Sequence, residues 1–434
     1  MEALNPIGPC PRPVLARGQG RGSRPGQTRR IGPTLERLRR TVGPNARQSL
    51  AALGLNSSTS FVAGGVLGAI TATFARVPGL LVMVPAAIGL RGNIFGAFGN
   101  RVSTSIHAGT FRLSLRRETV LGQNLLAAAV LTAGISFGLA VIAKIVAVAL
   151  GIEGTVGVLD LAVISIVGGA LASAVVMAAT LALTAGAVRR DWDLDSVTAP
   201  IVSVLGDVLT LPALWLAAGL VGYHLFTPSL GVVLCVASVA IVVVTARSRL
   251  ADLRRITRES LPVLLAAATV STLAGIALEK RFELFDQYPA LLVLVPAHLS
   301  SAGALGGILS GRVSTKLLLG TAEPTTWPQR SARSDIWFVT ALALPVYAFN
   351  GIGAHYTARL LGQASPGLPD MLAVSLIGGA AALAFVAAIA YLGDVIAVRT
   401  GVDPDTYGIP VVSSSLDLVG AFTLIVTISA LGIV

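Results

Sequence analysis

The stretch Pro78-Gly79-Leu80-Leu81-Val82-Met83-Val84-Pro85-Ala86 returns as Pro289-Ala290-Leu291-Leu292-Val293-Leu294-Val295-Pro296-Ala297. From residue 78 to residue 289 the spacing is 211, and Arg101-Val102-Ser103-Thr104 returns at the same spacing as Arg312-Val313-Ser314-Thr315. Further along, Gly168-Gly169 returns as Gly378-Gly379. Asp193-x-Asp195, Pro200, Ser203 and Asp207 return as Asp403-x-Asp405, Pro410, Ser413 and Asp417, all at a spacing of 210. Ordered matches through most of each half mark a duplicated unit.

The solvent of that unit is lipid. Of the 434 residues 54% are hydrophobic and only 12% charged, with a mean hydropathy of +0.80, whereas a soluble domain carries about 25% charged residues. Apolar runs of about 20 residues recur, each long enough to cross a bilayer as a helix. The short alternating segments of a membrane β-barrel are missing. The sequence therefore predicts an all-α polytopic membrane protein of about eleven spans. They lie near residues 49–73, 78–100, 121–150, 156–188, 199–223, 230–246, 260–279, 289–311, 336–361, 368–398 and 408–433.

Charge orients these spans. The net charge of +11 does not point to nucleic acid, because the excess sits in residues 1–48 and in short loops. Ten arginines with many Gly and Pro make residues 1–48 read as a disordered basic cytoplasmic tail touching anionic lipid. That tail and every second loop hold 26 of the 32 Lys and Arg. By the positive-inside rule this side is cytoplasmic, with the N-terminus inside and the C-terminus outside a plasma membrane. The two cysteines, Cys10 and Cys235, support neither a disulfide framework nor a thiolate metal site.

Each copy holds five spans, and an odd number would invert the second copy. The unmatched sixth span restores the orientation. The expected domains are a first five-helix repeat at 49–225, a linker with one extra transmembrane helix at 226–259, and a second five-helix repeat at 260–434. The copies are then parallel and related by a pseudo-two-fold axis along the membrane normal, with a substrate path between them.

Asp207 and Asp417 are the strongest chemical signal. Each lies seven residues after a proline that can open a helix, about 10 Å into its span. A carboxylate at that depth costs several kcal/mol unless paired or hydrated, and the chain accepts the cost twice at equivalent positions. Two such groups near one axis need a shared proton or a bound cation. Ser203 and Ser413, one turn earlier on the same face, could hold an ion's water shell; packing of a tight helix contact is the alternative. Asn93 could add an amide oxygen. Oxygen donors with little His, Met or Cys suit magnesium, manganese or calcium, and magnesium needs the fewest carboxylates.

The second span carries Pro85, Gly89, Gly92, Asn93, Gly96 and Gly99, which predicts an interrupted helix lining a cavity, with small residues for close packing as the alternative. Its counterpart offers Ser300 and Ser301, so Gly92, Ser300 and Ser301 are candidate pathway-lining residues. Asp193, Asp195, Asp403 and Asp405 form two acidic cytoplasmic mouths, or cap the helices that follow them. Arg91 is expected to pair with a carboxylate or reach the interface. His298 is a lone histidine, and Asp160, Asp394 and Glu279 read as solvated span ends. No nucleophile–base set or phosphate loop suggests an enzyme, and no permanently bound cofactor is expected. The transported ion, the membrane lipid and a fused pseudo-dimer are the expected partnerships. A proton-coupled carrier of an organic anion or small metabolite is the alternative, and it would need a cation at depth, which only Arg91 supplies.

The chain resembles the membrane domain of MgtE-type magnesium transporters, and more closely their two-repeat eukaryotic solute-carrier relatives. The likeness rests on Pro85, Gly92-Asn93, Arg101-x-Ser103-Thr104, Asp193-x-Asp195, Pro200 and Gly206-Asp207. In the second copy it rests on Pro296, Arg312-x-Ser314-Thr315, Asp403-Pro404-Asp405, Pro410 and Asp417. It covers both five-helix units and implies a magnesium path between them, with Asp207 and Asp417 as main ligands. Bacterial relatives are homodimers of one such unit, so this chain looks like a fused dimer. It departs from the pattern where Asn93 faces Ala304 and Arg91 faces Ala302. The sensing domains of the bacterial relatives have no counterpart here, so their gating scheme does not carry over.

Overall fold

In lipid a segment must satisfy its backbone polar groups internally, which makes long apolar runs helical. The computed structural model describes residues 44–107, 111, 114–152, 154–190, 194–223, 225–400 and 409–433. Its main compact unit is Gln48–Val434. The basic tail expected over residues 1–48 lies almost entirely outside the described residues.

The first copy contains α1 (Pro44–Ala69), the short α2 (Thr71–Arg76), α3 (Leu80–His107), α4 (Val120–Ala149), α5 (Val158–Arg190) and α6 (Leu194–Ala218). A single helix, α7 (Phe226–Ala246), joins it to the second copy. That copy contains α8 (Ala251–Glu279), the short α9 (Phe282–Gln287), α10 (Pro289–Leu318), α11 (Arg330–Leu360), α12 (Leu368–Thr400) and α13 (Ile409–Ala430). Among the described residues ten helices are long and apolar enough to cross a membrane. At the fifth expected span, α6 contributes the shorter apolar stretch Leu205–Ala218. The two-copy, all-helical architecture is as the sequence predicts. The short α2 and α9 that separate the first two spans of each copy were not foreseen.

The repeated stretch that announced the duplication is the centre of the core. Leu81, Val82, Met83, Leu291, Leu292 and Val293 are fully buried, as a helix segment apolar on every side requires. By contrast α7 leaves Val233, Val236 and Val244 exposed and packs only one side on α4, α5 and α8. That is the behaviour of a lipid-facing linker.

The copies exchange their first helices. Helix α8 of the second copy packs on α3 and α4 of the first, as well as on α13 of its own. Helix α1 reaches the second copy reciprocally. Phe61 lies against Phe349 of α11 with ring centroids 5.6 Å apart, and Asn56 and Ser300 of α10 exchange hydrogen bonds of 2.9 and 3.0 Å. Two glycines make these crossings close. A Cβ on Gly64 would strike the Val293 carbonyl, and a Cβ on Gly275 would strike the Val82 carbonyl. Both pairs are related by the 211-residue spacing, so the pseudo-two-fold relation holds at the level of single contacts.

The expected interruption of the second span is not there. Helix α3 runs unbroken from Leu80 to His107 through Pro85, and α10 runs likewise through Pro296. Each proline lies within the first two turns, where it removes only one ladder bond. Among the glycines of α3 a Cβ on Gly89 would lie 3.4 Å from Asp417 Oδ2 and one on Gly96 would meet nothing within 4 Å, while in α10 a Cβ on Gly306 would strike the Leu416 side chain. A Cβ on Gly206 of α6 would come within 3.2 Å of the Arg91 Cβ on α3.

Substituting Gly64 or Gly275 by valine should therefore overpack the exchanged helices and cost about 1–3 kcal/mol each. A lowered thermal midpoint of the purified protein in nanodiscs is the expected readout. Gly54, with no atom within 4 Å of its would-be Cβ, should tolerate alanine without such a drop.

Candidate functional site

Asp207 and Asp417 sit on α6 and α13, the last helix of each copy, and both are half-buried. Helix α13 packs on α8, α10 and α12 and also touches α3 of the first copy. The exchange of first helices thus places Asp417 beside the other copy. The Ser271 hydroxyl on α8 donates to Asp417 Oδ2 at 2.9 Å. The same oxygen would lie 3.4 Å from a Cβ on Gly89 of α3, so a glycine there keeps the carboxylate uncovered. Among the described residues no three His, Cys, Asp or Glu side chains cluster. Any ion here would be held by the two carboxylates, neutral oxygens and water.

A cavity of about 570 Å³ opens between α3, α4 and α8 and reaches Pro410 of α13. Gly92, Asn93 and Gly96 line it from α3, and Asp252, Glu259 and Ser260 line it from α8. Gly89, which faces Asp417, lies one helical turn from Asn93, a rise of about 6 Å. Gly89, Gly92, Asn93 and Gly96 share one face of α3. The cavity therefore ends about one turn below the Asp417 carboxylate, on the side where the basic loops lie.

The other candidates are distributed differently. Ser413 turns its hydroxyl back to the Pro410 carbonyl at 3.2 Å, leaving its oxygen as an acceptor. Ser300 is engaged by Asn56, and the buried Ser301 receives a hydrogen bond of 2.8 Å from Asn350. Both serines belong to the α1–α10 seam rather than to the cavity lining. Asp193, Asp403 and Asp405 lie outside the described residues, as do the side chains of Asp195 and Ser203 on α6.

Three groups read from sequence as solvated or interfacial are bound or buried instead. The Gly79 N–H donates to Glu279 Oε1 at 2.8 Å, so the last residue of α8 caps the start of α3 in the other copy. Gly79 has φ 92°, a left-handed conformation that suits glycine at this tight joint between α2 and α3. Asp394 is buried and accepts from Ser310 at 2.7 Å. Arg91 neither pairs with a carboxylate nor reaches an interface. It is 1% exposed, and among the described residues none of its guanidinium nitrogens has a hydrogen-bond partner.

Sequence reading missed Ser271 and Asp335. Ser271 stands 211 residues after Ser60, so the repeat itself could have flagged it. Asp335 is fully buried and receives Arg312 Nε at 2.8 Å and Lys316 Nζ at 2.5 Å. In the first copy Arg101 Nε donates to Asn124 Oδ1 at 2.7 Å. The repeated Arg-x-Ser-Thr thus ties the second span to the third in both copies, with an ion pair in one and a neutral bond in the other.

The family model described as MgtE, divalent cation transporter, matches residues 84–217 and again 295–427. Solute carrier family 41 member 3 of Rattus norvegicus is 25% identical over 377 residues, covering 81% of this chain and 79% of that protein. Solute carrier family 41 member 2 of Xenopus laevis is 25% identical over 393 residues, covering 83% and 67%. The Homo sapiens member 2 is 23% identical over 375 residues, covering 81% and 64%. A solved eukaryotic MATE transporter, AtDTX14, overlaps 88% of this chain and 94% of its own at 12% identity, with a TM-score of 0.28. That likeness is too slight to bear on the fold.

Replacing Asp335 by alanine leaves Arg312 and Lys316 facing a buried, uncharged gap. The expected loss is about 3 kcal/mol, the low end for a broken buried pair because both cations are partly exposed. Thermal unfolding of the purified variant measures it, and Asn124→Ala in the first copy should cost clearly less.

Proposed function

The chain belongs to the MgtE family of divalent cation transporters, and from that premise we propose that it moves magnesium along a path between its two copies, with Asp207 and Asp417 as the main ligands. The observation that carries this reading is the place of Asp417: its carboxylate, from the last helix of the second copy, lies beside Gly89 of the first copy, one turn from the cavity-lining Asn93. Like charges at membrane depth need a compensating cation, and a divalent ion compensates both at once. The donor set also supports magnesium. It holds a dehydration-resistant shell of water and takes only one or two carboxylates, with hydroxyls and amides as outer partners.

In this reading Ser203, Ser413 and Asn93 contact the ion or its water. Asp193, Asp195, Asp403 and Asp405 collect cations at the cytoplasmic mouths, and Gly92 borders the route, while Ser300 and Ser301 hold the α1–α10 seam beside it. The five-helix units 49–225 and 260–434 act as a fused pseudo-dimer in a plasma membrane, with the basic loops and the N-terminus cytoplasmic. A proton-coupled organic-anion carrier gains no support, since Arg91 does not line the cavity.

Magnesium flux into proteoliposomes tests the proposal, with and without a sodium gradient. Asp207→Ala and Asp417→Ala should each reach the membrane and fall to the rate of empty liposomes; wild-type flux in both would contradict it. Ser271→Ala should keep its maximal flux but need about ten-fold more magnesium for half-saturation, the effect of losing one hydrogen bond to a charged group.

A further inference from the structure

Arg91 is the second polar anomaly of the membrane interior, and the cation path does not account for it. Its side chain leaves α3 toward α4 and α5, inside the first copy. There Arg91 Nη2 lies 2.5 Å from where a Cβ on Gly169 would stand, and the Ser136 hydroxyl crowds the same point. Both residues are buried, at 1% and 0% exposure. Among the described residues neither the three guanidinium nitrogens nor Ser136 Oγ has a hydrogen-bond partner. One helical turn away the same α4–α5 seam is satisfied, with Thr132 donating to Ser173 at 3.1 Å.

The chemistry of this cluster is one-sided. A guanidinium offers only donors, and the serine can turn its O–H to join them. What is missing is an acceptor that also carries negative charge, because a lone cation at this depth is costly. Asp207 does not supply it. Its neighbour Gly206 touches the Arg91 Cβ, but among the described residues Arg91 forms no ion pair. Water would meet the hydrogen bonds and leave the charge unbalanced.

The second copy is built differently at this point. Tyr347 stands there in place of Ser136, and its ring crowds the would-be Cβ of Gly379, the counterpart of Gly169. Ala302 takes the place of Arg91. One copy fills the gap between its second, third and fourth spans with an aromatic ring; the other puts a serine there and brings in a fixed positive charge.

We propose that Arg91 and Ser136, with the bare backbone of Gly169, form a binding site for a small inorganic monoanion of the chloride class within the first copy. The site is enclosed on all sides and built of donors, which excludes large or organic anions. It is separate from the cation path, so the proposal stands whichever cation is carried.

The test uses the full chain in nanodiscs without divalent cations. Chloride replaces gluconate at constant ionic strength while the thermal unfolding midpoint is followed. The wild type should show a saturable rise with chloride. Ser136→Ala should need about ten-fold more chloride for half of that rise, and Arg91→Gln should show none. A wild-type midpoint indifferent to chloride overturns the proposal, and so does an unchanged chloride response in Arg91→Gln. Should Arg91→Gln fail to fold, bromide-soaked wild-type crystals decide: anomalous density between Arg91 and Ser136 supports the site, and its absence at saturating bromide overturns it.

Discussion

Two carboxylates of like charge held inside a membrane dictate most of what surrounds them. Neither Asp207 nor Asp417 forms an ion pair with a lysine or arginine among the described residues. Two such groups need a shared proton or a bound cation, and under the proposed function a cation reaches them and leaves. The duplicated unit supplies the two groups from equivalent helices. The glycine at position 89 keeps one carboxylate uncovered, the Ser271 hydroxyl donates to it, and the cavity beside Asn93 ends within a turn of it.

The exchange of first helices makes this arrangement possible in a single chain. Helix α8 is shared by α13, which carries Asp417, and by α3 and α4, which carry the cavity. Ser271 and the lining residues Asp252 and Glu259 all belong to α8. A rearrangement of α8 would therefore act on the carboxylate and its access route together. Glu279 at the other end of α8 fixes the start of α3 through Gly79. The two copies are joined through the exchanged helices α1 and α8 rather than along a flat interface.

Much of this was legible in the residues. The stretch Pro78–Ala86 and its return at 289 identified the duplication, and apolar run lengths identified the spans, because both signals are local. Asp207 and Asp417 stood out because a carboxylate deep in an apolar run is costly wherever it packs. The partner of α1 and α8 was not legible, since an apolar face does not say which copy it will meet. The glycines of the second span were misread as breakers, because a sequence cannot distinguish a glycine that unwinds a helix from one that admits a neighbour. Asp335 was overlooked at the edge of an expected span, where the sequence reads as loop but α11 has already begun. Arg91 was expected to find a carboxylate because its burial on the inner side of α3 depends on Gly169, nearly eighty residues away.

The pseudo-symmetry is imperfect in an informative way. Arg101 binds Asn124 where Arg312 binds Asp335, and Ser136 with Arg91 replaces Tyr347. The differences fall inside each copy, whereas the two aspartates and the glycine crossings at Gly64 and Gly275 are kept. The central claim is that the two aspartates act as one site. Calorimetric titration of magnesium into the nanodisc-embedded chain tests it most directly. One ion per chain, lost entirely in either Asp207→Asn or Asp417→Asn alone, is the result the shared site predicts. Two ions per chain, or one ion retained in each single variant, would contradict it.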